Sequence, residues 1–310
     1  MSAKLRFSGA VPANLLPFNE DLSFDEPNYR RHLAWLAAVE GVPAIVCNGH
    51  AGEVSSLDRE ERRRALAIAV DAVGDQVEII SGIYTDNTLE AAALAKDAKA
   101  EGAAGLLVFP PTIFMWGAQL RPEMVVTHFE TLADATDLPL IVFEYPPASG
   151  IGYAPETLAR LAEIERVVGV KDWSNDIVAF ERNLRALRAT GRPVAMLSSF
   201  TMSMFASYAL GADGSISGMG SVTADSHVAL FQAVQRGDLA TGRDLNNRLD
   251  PLVRAFYAPP FVDMHNRMKE ALVLLGRINK AVVRPPLKRI GDDERERIRA
   301  ALLQAGLLLP

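Results

Sequence analysis

The sequence predicts an α/β protein, a (β/α)8 TIM barrel followed by a C-terminal helical appendage. Eight short apolar runs alternate with longer amphipathic runs, and each pair takes roughly 25–45 residues, as βα units do. The apolar runs are continuous rather than alternating, which is typical of parallel strands buried on both faces. Eight such units with right-handed crossovers close a barrel more readily than they extend an open sheet.

The strands and helices alternate along the first three quarters of the chain. The predicted strands are 9–13, 44–47, 77–81, 105–109, 140–143, 167–170, 194–197 and 214–217. The predicted helices are 28–40, 58–73, 89–101, 122–135, 155–164, 176–189, 201–210 and 224–236. In the second of these helices, Asp58 and Glu61 have the spacing of a capping box.

The open-sheet alternative requires a glycine-rich phosphate turn after an early strand. The turn at 49–53 reads Gly-His-Ala-Gly-Glu, which lacks that spacing. Strands stop at about residue 237, and helical patterns follow at 238–257, 261–275 and 292–305. We therefore predict a barrel over 1–237 and a helical extension over 238–310 that belongs to the same domain.

Composition limits the class of protein. A net charge of −6 and acids interleaved with the arginines disfavour a nucleic-acid partner. No apolar run approaches the ~20 residues of a membrane span, and residues 1–7 have no apolar signal-peptide core. The single cysteine, Cys47, cannot form an internal disulfide. These features predict a cytoplasmic protein that binds neither nucleic acid nor membrane.

One of the seven lysines, Lys171, directly follows a predicted strand. Chemistry in such barrels lies at the carboxyl ends of the strands, so its amine should lie at the barrel mouth. Burial can lower a lysine pKa by up to ~3–5 units, which makes the amine a nucleophile toward a carbonyl carbon. On position alone, a lysine paired with an acid such as Asp172 is an equally good interpretation.

Segment 169–172, Gly-Val-Lys-Asp, together with the 49–53 loop, resembles the dihydrodipicolinate synthase/N-acetylneuraminate lyase family of class I Schiff-base aldolases. The resemblance extends over nearly the whole chain, with matching pieces at 12–18, 57–62, 139–146, 211–217 and 284–287. It implies that Lys171 forms a Schiff base with a small 2-oxo acid and that no cofactor is needed. It also implies a homotetramer built from two tight dimers, whose partners face each other near strands three and four.

The departures from the family pattern concern its proton relay. The relay tyrosine at strand five is replaced by Phe143, which cannot transfer a proton, whereas Tyr145 lies two residues on and on the same strand face. The two threonines of the glycine loop are replaced by His50 and Ala51. His50 can give and take protons, so we expect it to be catalytic or to contact substrate. Alternatively, His50 shapes the loop, and Tyr145 packs at the rim.

Two further departures affect the substrate. After strand four, Pro111-Thr112 replaces the tyrosine that reaches across the family's dimer interface. Ala148 stands where dihydrodipicolinate synthase has the arginine that binds the second substrate's carboxylate. The bidentate contact of that arginine with the carboxylate is therefore missing. Authentic synthase activity is therefore not expected. A more apolar or neutral substrate tail is suggested by a set of aromatic and apolar residues near strand ends, namely Phe114, Met115, Trp116 and Trp173.

The sequence thus predicts a divergent family member, a lyase (aldolase or dehydratase) that acts through Lys171, with His50 and Tyr145 as further catalytic residues. Substrate is expected to contact Gly49, Ala51, Phe143, Ser199 and Ile216. No metal site is expected, because the five histidines are widely separated and show no metal-binding spacing. Two alternatives remain: a hydratase-aldolase for an aromatic or extended 2-oxo acid, and a non-catalytic barrel that binds a 2-oxo acid.

Overall fold

Eight parallel strands form the centre of the molecule. A computed structural model describes residues 8–309, so the expectation for residues 1–7 lies outside the described part of the chain. The strands are β1 Gly9–Pro12, β2 Ala44–Cys47, β3 Glu78–Ile83, β4 Gly105–Val108, β5 Leu140–Glu144, β6 Val167–Asp172, β7 Ala195–Ser198 and β8 Gly214–Ser217. Nearly all of their residues are buried, because helices cover the outer face and side chains fill the interior.

The strands are ordered around a ring that confirms the predicted barrel. Each strand pairs with its neighbours in sequence from β2 to β8, and β8 pairs with β1. Between β1 and β2 the ring is closed by a parallel bridge from Ala13 to Val46, and the Asn14 amide donates to the Val46 carbonyl at 2.9 Å. The carboxyl ends of all eight strands consequently meet at one mouth.

Eight helices follow the strands and cover the barrel. They are α1 Glu26–Ala37, α2 Arg59–Val73, α3 Thr88–Ala100, α4 Pro122–Ala135, α5 Pro155–Ala162, α6 Ile177–Ala189, α7 Met204–Ala209 and α8 Gly220–Gln235. The predicted capping box is confirmed, since the Asp58 side chain accepts from the Glu61 amide and the Glu61 side chain accepts from the Asp58 amide. None of the helices between residues 8 and 309 has the length and apolar character needed to span a bilayer.

Three more helices make up the tail, α9 Leu239–Phe256, α10 Met264–Leu274 and α11 Asp292–Gln304. Helix α9 packs on α8 and α11, and α10 packs on α11. A buried ion pair connects the tail to the barrel: Lys269 of α10 contacts the carboxylate of Glu53, which follows the loop after β2. The appendage therefore returns to the mouth of the barrel.

Several strands end later than the sequence pattern indicates, and in two of them the added residues are charged. Strand β5 continues to Glu144 and β6 to Asp172, because Phe143 pairs with Lys171 and Glu144 with Asp172 in register. Lys171 is therefore the penultimate residue of its strand rather than the residue after it. Both strands take in a charged side chain that the apolar pattern alone would leave out.

Candidate active site

The amine of Lys171 lies within the mouth of the barrel. Its residue is 7% exposed, and its Nζ is 3.7 Å from the centroid of the Phe143 ring on the neighbouring strand. Burial lowers the pKa of Lys171 to about 7. Because a charged amine loses hydration there, about half of these amines are neutral at pH 7, compared with one in a few thousand for an exposed lysine.

Aromatic rings surround this amine. The Phe143 ring packs against Tyr145 at 4.6 Å between centroids and against Trp173 at 6.2 Å. Tyr145 and Trp173 lie edge to face at 5.5 Å, the geometry that aromatic pairs prefer. Phe143 therefore lies directly over the lysine, and Tyr145, the residue after β5, stands above it toward the rim.

His50 and Tyr145, the two candidate proton carriers, are in direct contact. His50 begins a short 3₁₀ turn, His50–Gly52, after β2, and its Nε2 is hydrogen-bonded to the Tyr145 hydroxyl. The imidazole also packs edge-on against Phe109 at 4.9 Å. Gly49 precedes the turn in an extended conformation and so directs His50 toward β5 across the mouth.

Electrostatics keep both members of this pair neutral. Burial, with the charge of Lys171, lowers the pKa of His50 to about 3. Burial also raises the pKa of the Tyr145 phenol well above its ordinary value. A neutral imidazole and a neutral phenol in one hydrogen bond can pass a proton in either direction.

The other expected substrate contacts are distributed around the mouth. Ala51 is buried in the His50 turn, and Ile216 is buried in β8 opposite Val11. Ser199 follows β7, and its amide donates to the Asp172 carbonyl at 2.7 Å. Among the predicted residues, His50, Phe143, Tyr145 and Lys171 form one contact cluster. Within residues 8–309, no group of three or more His, Cys, Asp or Glu side chains could hold a metal ion.

Of the four residues considered for the substrate tail, only Trp173 packs against this cluster. Phe114 is buried against the His128 ring, at 6.1 Å between centroids, whereas Met115 and Trp116 are exposed on the outer surface. Thr112 contacts the carboxylate of Asp86 through both its amide and its hydroxyl. The segment after β4 therefore faces outward.

Behind the site, two carboxyl groups are fully buried on the outer face of the strands. The Glu144 carboxyl accepts the Tyr153 amide, and the Asp172 carboxyl accepts from the Asn183 side chain at 2.8 Å. Burial raises the pKa of Glu144 well above its ordinary value, and the charge of Asp172 adds to this. The sequence leaves Asp172 open as a partner for Lys171, but the Asp172 carboxyl is hydrogen-bonded to Asn183 of α6 instead.

A second histidine, His265 of α10, also reaches the mouth. A methyl group built on Gly218, just after β8, would lie 2.9 Å from His265 Nε2 and 3.6 Å from the Ala51 side chain. In the sequence this histidine belongs to the helical tail, and its position at the mouth is not predicted. The possible indication was the glycine at 218, which leaves space beside a strand end.

Proteins of known class share this architecture over almost their whole length. A 4-hydroxy-tetrahydrodipicolinate synthase of Gluconacetobacter diazotrophicus is 33% identical over 302 residues, covering 97% of this chain and 98% of its own. Its counterpart in Methanopyrus kandleri is 32% identical over 305 residues, with 98% of each chain covered. The solved structure of a monomeric dihydrodipicolinate synthase variant has a TM-score of 0.90, 27% identity and 98% coverage of both chains.

A prophage protein of E. coli from the dihydrodipicolinic acid synthase family, solved in complex with pyruvate, has a TM-score of 0.89 and 26% identity, with 97% and 99% of the two chains covered. A barrel with these relatives is a Schiff-base-forming lyase that acts on a small molecule. Residues 6–305 match the model of the dihydrodipicolinate synthetase family, and the chain belongs to that family.

Proposed function

We propose that the protein forms or breaks a carbon–carbon or carbon–oxygen bond of a small 2-oxo acid through an imine on Lys171, and that it is not an authentic 4-hydroxy-tetrahydrodipicolinate synthase. The observation that carries this proposal is the buried amine, whose pKa is lowered to about 7 at the carboxyl end of β6. The pyruvate complex of the E. coli neighbour supports pyruvate as the simplest such acid.

The first step uses the neutral amine. Lys171 Nζ attacks the C2 carbonyl carbon, and a proton moves from nitrogen to oxygen to give a carbinolamine. That hydroxyl then takes a proton and leaves as water, so that an iminium ion remains. The iminium withdraws electrons from C3, and the bond from C3 to hydrogen or carbon can then break to give an enamine.

Each of these steps requires an acid or a base within reach. The hydrogen-bonded pair of His50 and Tyr145 can supply one proton and recover it later, since neither group holds a charge at neutral pH. The pair lies beside Phe143, whose ring covers the lysine. Phe143, at the position of the family's relay tyrosine, is thus apolar. We therefore assign proton transfer to the neighbouring pair of His50 and Tyr145.

Two residues argue against the activity after which the relatives are named. Ala148 lies exposed in the short turn Pro147–Ser149 after β5, at the position of the family's carboxylate-binding arginine. Alanine offers no hydrogen-bond donor to a second carboxylate, and Phe143 cannot act as the relay tyrosine. A substrate tail without a carboxylate fits these residues better.

A second candidate is a hydratase-aldolase acting on an aromatic or extended 2-oxo acid. The observation that favours it is Trp173, a partly exposed ring that stands edge to face with Tyr145 at 5.5 Å. An aromatic tail could pack against this indole. Trp173→Ala should then reduce imine formation by an aryl-substituted 2-oxo acid more than by pyruvate.

For the assembly, we propose a homotetramer built from two dimers, with the dimer contact at the segment after β4. Five large apolar side chains are exposed between residues 113 and 124, of which Trp116 is 84% exposed and Leu120 86% exposed; the others are Ile113, Met115 and Met124. Apolar surfaces of this kind mark protein interfaces. One structural neighbour is a monomeric dihydrodipicolinate synthase variant, so the proposal is tested by measuring the oligomeric state of this chain.

We also infer that the extension 238–310 folds as one domain with the barrel 1–237. The buried pair of Lys269 and Glu53 supports this, because separating it would leave two buried charges without partners. The Arg284 amide also donates to Glu53 at 2.9 Å.

The function is tested by incubating the enzyme with a panel of 2-oxo acids and reducing with borohydride. The adducts are then weighed by mass spectrometry. Adducts with pyruvate and longer 2-oxo acids support the proposal. Activity with a carboxylate-bearing aldehyde at the level of an authentic synthase would contradict its second half.

A further inference from the structure

His265 enters the barrel mouth from the helical tail. It is the second residue of α10, and its Nε2 lies against the backbone of Gly218, 2.9 Å from where a side-chain carbon would be. Ala51, the neighbour of His50, lies 3.6 Å from the same point. The absence of a side chain at Gly218 is therefore what admits the imidazole beside the His50 turn.

An independent contact holds this histidine in place. His265 and Lys269 are four residues apart, so they share one face of α10. Lys269 Nζ contacts the Glu53 carboxylate and donates to the Val282 carbonyl at 2.9 Å. Glu53 directly follows the turn His50–Gly52. The buried pair thus links the helix that carries His265 to the loop that carries His50.

The imidazole is neutral and has a free hydrogen-bonding capacity. Burial, with the charges of Lys171 and Lys269, lowers the pKa of His265 to about 3. Between residues 8 and 309 no side chain or backbone group is hydrogen-bonded to this ring, although it is close enough to Lys171 for their charges to oppose each other. A neutral ring nitrogen of this kind suits a hydroxyl or carbonyl oxygen, whereas a carboxylate would prefer a cation.

We propose that His265 is a specificity-determining residue of this site: it binds the oxygen on C4 of the substrate and favours tails in which that oxygen is uncharged. This rests on the proposed function, because the imine on Lys171 is what places C4 two bonds beyond the reacting C2. The His50–Tyr145 pair lies toward β5, whereas His265 lies at the end of β8. The C4 oxygen is a hydroxyl before cleavage and an aldehyde oxygen after it, and the imidazole can donate to either.

The test compares two acids that differ by one hydroxyl, 4-hydroxy-2-oxopentanoate and 2-oxopentanoate. The concentration for half-maximal borohydride labelling of Lys171 is measured for each, with the intact and cleaved adducts of the hydroxy acid added together and pyruvate as a reference. The wild-type enzyme should trap the hydroxy acid at a concentration about 5–10-fold lower, the value of one hydrogen bond. His265→Ala should remove this preference, with trapping of each acid expressed relative to pyruvate, which has no C4. His265→Asn, which can still donate, should restore part of it.

Two further variants separate binding from folding. Gly218→Ala places a carbon against the imidazole and should remove the preference although the histidine is retained. Met264→Ala, one position earlier on the same helix, should keep it. The inference is overturned if the wild type shows no preference, or if His265→Ala retains it. Failure to trap any of the three acids overturns instead the proposed function, and the inference with it.

Discussion

Replacing Lys171 by methionine should abolish imine formation and stabilise the fold. Methionine has a similar length and can pack under the Phe143 ring that now covers the amine at 3.7 Å. The lysine pKa falls from its ordinary value of 10.5 to about 7, and burial is the cause. A shift of this size costs the folded state about 4 kcal/mol at pH 7.

The sign of this effect depends on pH. Between pH 7 and 10.5 the unfolded chain keeps the Lys171 proton that the folded chain has released, so the stability of the wild type increases with pH in that window. Lys171→Met has no such proton. Its advantage in unfolding free energy should therefore be up to about 4 kcal/mol at pH 7 and fall below about 1 kcal/mol at pH 10.

Urea unfolding at fixed protein concentration measures both values. Lys96→Met is the matched control, because Lys96 is exposed on α3 and its substitution should change stability by less than about 0.5 kcal/mol. A Lys171→Met variant that is less stable than the wild type at pH 7, or equally advantaged at both pH values, would refute the reasoning.

Three other predictions concern the proton pair, the buried acid and the assembly. His50→Ala should slow turnover by at least ~10²-fold while borohydride trapping persists. Tyr145→Phe tests whether the phenol is needed as well. Turnover near the wild-type rate in His50→Ala would instead leave Tyr145 or water as the proton carrier. Glu144→Gln should raise the melting temperature at pH 8 more than at pH 5. Because the pKa of Glu144 is raised in the folded protein, this carboxyl makes the fold less stable as pH rises above the pKa that it has in the unfolded chain. Trp116→Glu should give a smaller particle by light scattering. The control Val178→Glu, on the exposed surface of α6, should leave the particle size unchanged. A Trp116→Glu particle of wild-type size would place the interface elsewhere.

The barrel could be predicted because its pattern is local. Each parallel strand appears as a short continuous apolar run, and the alternation of eight runs with eight amphipathic helices restricts the topology. The ends of β5 and β6 could not be predicted from this pattern, since Glu144 and Asp172 are charged. Their place in the ladder depends on burial behind the strands and on partners such as Asn183.

The residues of the candidate site could be predicted only where they stand at or next to the end of a strand. Lys171 and Tyr145 stand at the ends of β6 and β5, so their direction follows from strand geometry. His265 comes from a helix whose return to the barrel mouth depends on the ion pair of Lys269 and Glu53, 216 residues apart in sequence. The hydrophobic periodicity of a helix gives no information about a contact between residues so far apart in sequence.

The central claim is tested most directly by locating the covalent adduct. The wild-type enzyme is incubated with pyruvate, reduced with borohydride, digested and analysed by mass spectrometry, alongside Lys171→Met. The account predicts one modified peptide, the one containing Lys171, heavier by the mass of pyruvate less one oxygen atom, and no adduct in the variant. An adduct on another lysine, or an adduct that survives in Lys171→Met, would contradict it.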